Sequence, residues 1–108
     1  MVRLVVTDAG QLARIREPLD NAGRMLQSTI RAAAQDLDVL DGDPQRAAKF
    51  LARWRRRQGQ ILRRENELLL VLSEAGASDR ALAELMGLNR QTIARRLEKA
   101  RDEREAAS

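Results

Sequence analysis

From Leu12 to Leu40 the apolar residues recur at alternating intervals of three and four: Leu12, Ile15, Leu19, Ala22, Leu26, then Ala33, Leu37 and Leu40, with Thr29 filling the one gap. That spacing draws one stripe along an α-helix and matches no single face of a strand, whose side chains alternate every second residue. A second stripe runs through Ala47, Leu51, Trp54, Ile61, Leu68 and Leu72, thickened by Phe50, Leu62 and Leu69 and interrupted by Gln58 and Glu65. Asp41-Gly42-Asp43-Pro44 separates the two stripes. Gly42 suits a left-handed turn, Asp43 an N-cap and Pro44 a first helical turn. The pattern predicts two amphipathic helices folded into an antiparallel hairpin, the second over residues 44–73. The first is expected to start near Ala9, where Asp8 and Gln11 form a capping box, and to end near Leu37. Pro18 and Gly23 interrupt it, and Pro18 predicts a kink or a division in two. Gly59 costs about 1 kcal/mol inside the second helix and predicts a close approach of another backbone there. For Val2, Leu4 and Val6 a short strand and an apolar arm both stay open.

Only Phe50 and Trp54 are aromatic, so the core of this all-α fold is aliphatic, with Trp54 expected inside it. Two stripes exceed what one hairpin buries, which predicts a homodimer sharing these helices. The chain has no cysteine and no histidine. Disulfides, thiolate or imidazole metal sites and histidine-based catalysis are thereby excluded. The carboxylates are scattered and form no nucleophile or metal set, so neither enzymatic activity nor a cofactor is expected. No apolar run reaches the roughly 18 residues of a membrane span, and the apolar start is too short for a signal peptide. The expected location is the cytoplasm, at the nucleoid.

A net charge of +4 says little, but its distribution says more. Acids and bases nearly cancel up to Gly42, and acids slightly outnumber bases from Glu65 onward. Between them Arg46, Lys49, Arg53, Arg55, Arg56, Arg57, Arg63 and Arg64 face Asp43 alone. A local positive field of this kind is the footprint of a polyanion. Arg53, Arg56, Arg57 and Arg63 are candidate contacts to flanking phosphates. Arg55, Arg56 and Arg57 spread around the helix and cannot all meet one strand. Glu65 is expected to pair with an arginine across the dimer or to sit at the stripe's edge.

The C-terminal third reads as a helix-turn-helix, which divides the chain into a dimerisation region, 1–73, and a DNA-binding region, 74–108. Gly76 ends the long helix, Ser78 caps a short helix over 79–86, Gly87 and Leu88 turn, and Asn89 caps a second helix over 90–104. Residues 101–108 are expected to fray. Ala83 is small where the two helices cross, and Gly87 supplies a positive φ. Leu82, Leu85 and Met86 are expected to face inward and Leu88 to plug the turn, with Ile93, Leu97 and Ala100 sealing the second helix. Asn89, Arg90, Gln91, Thr92, Arg95, Arg96 and Lys99 are left outside, a set suited to base edges and phosphates.

Residues 80–97, Arg-Ala-Leu-Ala-Glu-Leu-Met-Gly-Leu-Asn-Arg-Gln-Thr-Ile-Ala-Arg-Arg-Leu, resemble the helix-turn-helix of the Fis family and of the C-terminal domain of NtrC-type activators. The resemblance implies that Asn89 and Arg90 reach bases, Thr92 holds a phosphate, Arg95 is a basic contact and Arg96 touches the DNA backbone. It departs at Ala94, where the family often has a basic residue, at Asp79, and in a longer last helix carrying Glu98, Asp102 and Glu103. The N-terminal helices match in layout only. The expected function is transcription regulation or nucleoid architecture, with two recognition helices of a symmetric dimer about 34 Å apart on double-stranded DNA. A helical protein-interaction module, docking on the transcription machinery or on a phage packaging component, is the alternative.

Overall fold

The computed structural model describes residues 9–108. The chain is all-α, and no strand occurs among the described residues. Helix α1 spans Ala9–Gln35 and runs into a turn of 3-10 helix at Asp36–Val39. Then follow α2, Pro44–Glu74, α3, Asp79–Met86, and α4, Arg90–Ala107. The Val2–Val6 alternation and the Asp8 cap lie outside the described residues. Pro18 does not divide α1, which is helical on both sides of it. The Arg14 carbonyl that loses its donor there lies in an exposed stretch, open to solvent.

Helices α1 and α2 run antiparallel. At one end the Gln11 side chain donates from Nε2 to the Glu74 carbonyl at 3.1 Å. At the other, Asp36 lies 3.6 Å from Arg53 and 3.1 Å from Arg57. Gln11, expected to cap its own helix, thus satisfies an orphan carbonyl at the end of α2.

The core gathers in the C-terminal half. Residues 68–72 of α2 are an unbroken apolar run, which marks a helix segment covered on several sides. Leu69 and Leu70 pack with Leu82 and Ala83 of α3 and with Ile93, Leu97 and Ala100 of α4, while Leu72 and Ala77 close its margin. Both connections around α3 follow one design. Ala77 N donates to Leu72 O and Gly76 N to Ser73 O; Leu88 N donates to Ala83 O and Gly87 N to Glu84 O. Each is a Schellman closure, and its glycine sits at positive φ, 111° for Gly76 and 68° for Gly87.

The hairpin is built differently. Along α1 only the small residues Ala22 and Ala33 are buried. Leu12, Ile30, Leu37, Leu40 and Leu62 are exposed, and Leu51 keeps 64% of its surface in water. Trp54, expected in the core, is half-buried and stacks on Phe50 at a centroid distance of 6.3 Å. Gly59 faces open space rather than another backbone. These differences share one cause: α1 covers one flank of the α2 stripe, and none of the other described residues covers the opposite one. The dimensions agree. The radius of gyration is 16.7 Å, against about 13 Å for a compact chain of this length. The accessible area is 8000 Å², against about 6100 Å² for a compact monomer of 12.2 kDa.

Candidate nucleic-acid interface

Asn89 starts the surface of interest. Its Oδ1 accepts from the Thr92 backbone N–H at 2.8 Å, so the side chain caps α4. The cap leaves the amide nitrogen of Asn89 for an outside acceptor. From this start α4 divides into two faces. Ile93, Leu97 and Ala100 are buried in the core. Arg90, Gln91, Ala94, Arg95 and Lys99 are exposed.

Arg90 stands out electrostatically. It has no hydrogen bond or ion pair among the described residues, and the first turn of α4 has no acid. A cation there opposes the helix dipole, whose positive end favours anions. By contrast α3 opens with Asp79, as the dipole prefers. An unpaired arginine at the disfavoured end gains nothing for the fold, and such local violations mark functional positions.

Arg80 of α3 faces Arg90 across a shallow groove lined also by Ser78, Asp79, Gln91 and Ala94, of about 500 Å³. Arg80 is exposed and unpaired among the described residues. Sequence reasoning left it out of the site, although its place two residues after the Ser78 cap puts it on the first turn of α3. Arg95 donates to Thr92 Oγ1 at 3.3 Å, which ties an expected basic contact to an expected phosphate contact.

Arg96 departs from expectation. Its side chain is only 15% exposed, and it turns toward α2 rather than outward. Nε donates to Asn66 Oδ1 at 2.6 Å and NH2 to Glu65 Oε1 at 3.4 Å. Glu65 therefore pairs with an arginine of its own chain. The expected frayed end is also fastened: Glu103 meets Arg63 at 3.4 Å, and Arg104 meets Glu74 at 2.8 Å. The extra length of α4 lies against α2. At the turn, Leu85, expected inside, is 51% exposed, and Met86 and Leu88 are exposed with it. The inner position on α3 goes to Leu82 and Ala83, so the next turn faces solvent.

The basic segment of α2 is partly spoken for. Asp36 holds Arg53 and Arg57, Glu103 holds Arg63, and Arg64 meets Glu67 at 3.1 Å. Arg56 stays exposed and unpaired among the described residues. Asn66, which sequence reasoning missed, had a readable signal. It is a poor helix former inside a long helix, and it lies four residues after Leu62 and three and four before Leu69 and Leu70.

Comparisons with known protein families, with curated proteins and with solved structures give no match for this chain.

Proposed function

We propose that the chain is a dimeric DNA-binding protein, a transcription regulator or an architectural factor of the nucleoid, with α3 and α4 as its helix-turn-helix. The observation that carries this reading is Arg90: solvent-facing, unpaired among the described residues and set against the dipole of α4, on a helix whose opposite face is buried. A guanidinium there bridges guanine O6 and N7 when α4 enters a major groove, with Asn89 and Gln91 beside it. Thr92, Arg95, Lys99 and Arg80 supply phosphate contacts, and Arg56 meets flanking phosphates. The reading includes no catalytic step.

The hairpin supports the dimer in this reading. The accessible area exceeds that of a compact monomer by about 1900 Å², and a stable interface takes about 800 Å² from each partner. A second copy laid on the exposed flank of α1 and α2 covers Leu12, Leu51 and Leu62. A second reading draws on the hairpin end, where Leu37, Val39 and Leu40 are exposed beside the half-buried Phe50. An interaction module would dock a transcription-machinery protein there.

Fluorescence anisotropy with random duplex DNA at low salt separates the two. The DNA reading expects binding that weakens steeply with salt and falls with Arg90→Ala. No binding at low salt would reject it in favour of the interaction module.

A further inference from the structure

Three side-chain ties cross from α2 to α4: Arg63 to Glu103, Arg96 to Asn66 and Glu65, and Arg104 to Glu74. The outer two leave their arginines more than half exposed, and pairs open to water in this way contribute little. The middle one is built otherwise. Asn66 is 1% exposed, and a buried amide costs free energy unless it is paired. Leucine at position 66 would serve a purely apolar seam. Instead one planar guanidinium spans two acceptors on successive residues of α2, which fixes a direction as well as a distance.

We infer that Arg96 is a positioning residue: held by Asn66 and Glu65, it sets the angle of α4 on α2 and with it the spacing between the two DNA half-sites that the dimer accepts. It does not touch DNA. The spacing role rests on the DNA-binding reading above; the angle-setting role does not. The lever is short and its effect is doubled by symmetry. Arg90 lies six residues from Arg96, about 9 Å along the helix. A tilt of about 10° around that anchor moves each recognition tip by about 1.5 Å, and the pair by about 3 Å. That is close to the rise of one base pair, about 3.4 Å.

The test uses two readouts on the full chain. The chain has no cysteine, so spin labels at Gln58→Cys and Glu98→Cys report the α2–α4 distance alone when labelled protein is diluted into unlabelled. Selection from duplexes whose half-sites are separated by variable spacers reports the accepted spacing. Arg96→Lys keeps the charge and loses the fork. It is expected to broaden the label distances and to spread the accepted spacing to neighbouring lengths. Asn66→Asp keeps an acceptor for Arg96 and is expected to retain the parent's narrow distances and single spacing. Arg96→Leu is expected to leave the slope of log affinity against log salt unchanged, whereas a lost phosphate contact lowers it by about 0.9 per protomer. Unchanged label distances in Arg96→Lys would overturn the inference, and so would a lowered slope in Arg96→Leu with the spacing intact. A parent that binds no duplex, with distances still broadened in Arg96→Lys, would overturn the spacing role together with the DNA reading and support the angle-setting role alone.

Discussion

The two ends of this molecule solve the same problem in different ways. Around α3 and α4 a core closes within one chain: Leu70 at the end of α2 and Leu82, Ile93 and Leu97 are almost wholly covered, although Leu85 and its neighbours at the turn are not. Glycine closures stop two helices where packing requires. Along the hairpin, the longer α1 buries only Ala22 and Ala33, and leucines of both helices stay in water. The contrast teaches that helix length is no measure of self-sufficiency. A short helix that fits between two others completes a core, whereas a long pair with one covered flank leaves a face for a partner.

The largest effects fall on that contrast. Leu70→Ala is expected to cost about 2–5 kcal/mol in urea unfolding, as a buried leucine does. Leu51→Ala in an isolated chain should cost far less, since Leu51 is mostly solvated. Equal losses at the two positions would mean that a partner covers Leu51. Trp54→Ala sharpens the point. It approaches the loss of about 3–5 kcal/mol of a buried aromatic only when the second copy covers it, so its cost should grow with protein concentration. Light scattering that finds a monomer at high concentration would break the account of the hairpin.

Within the C-terminal region smaller terms decide. Gly87→Ala places a side chain at positive φ and should cost roughly 1–2 kcal/mol. Asn89→Ala removes the cap of α4, worth about 1 kcal/mol, and is expected to weaken the proposed DNA binding as well. Thermal unfolding measures both. If Asn89→Ala changes stability alone, the residue is a cap and no more.

Much of the fold was legible because caps and periodicities are local signals. Asp43, Ser78 and Asn89 each accept from the backbone two or three residues on, so α2, α3 and α4 start where expected. The packing of those helices was less legible. Periodicity placed Leu85 and Met86 on an inner face, but α3 has room to bury only one turn against α4, and Leu82 and Ala83 take it. Composition marked the basic segment of α2, yet it could not show Asp36 folding back on Arg53 and Arg57. The motif placed Arg96 among the outward cations; its partner Asn66 lies thirty residues earlier, beyond any local pattern.

The smallest expected effect concerns the basic segment. On duplexes with long flanks, Arg56→Ala should lower the salt slope by about 0.9 per contacting protomer without changing stability. Arg57→Ala, which removes a side chain already held by Asp36, should leave the slope as it is. Equal slopes lost at both positions would show that DNA competes successfully for Arg57.

In the proposed mode of binding, two copies present two α4 helices to adjacent major grooves. Selection of bound sites from a random duplex library, with the mass of the protein–DNA complex measured on the selected sites, tests it most directly. The expected result is a palindrome whose half-sites are one helical turn apart, about 34 Å, bound by two chains, with one position of each half-site lost in Arg90→Ala. An unenriched library, or a single half-site bound by one chain, would contradict it.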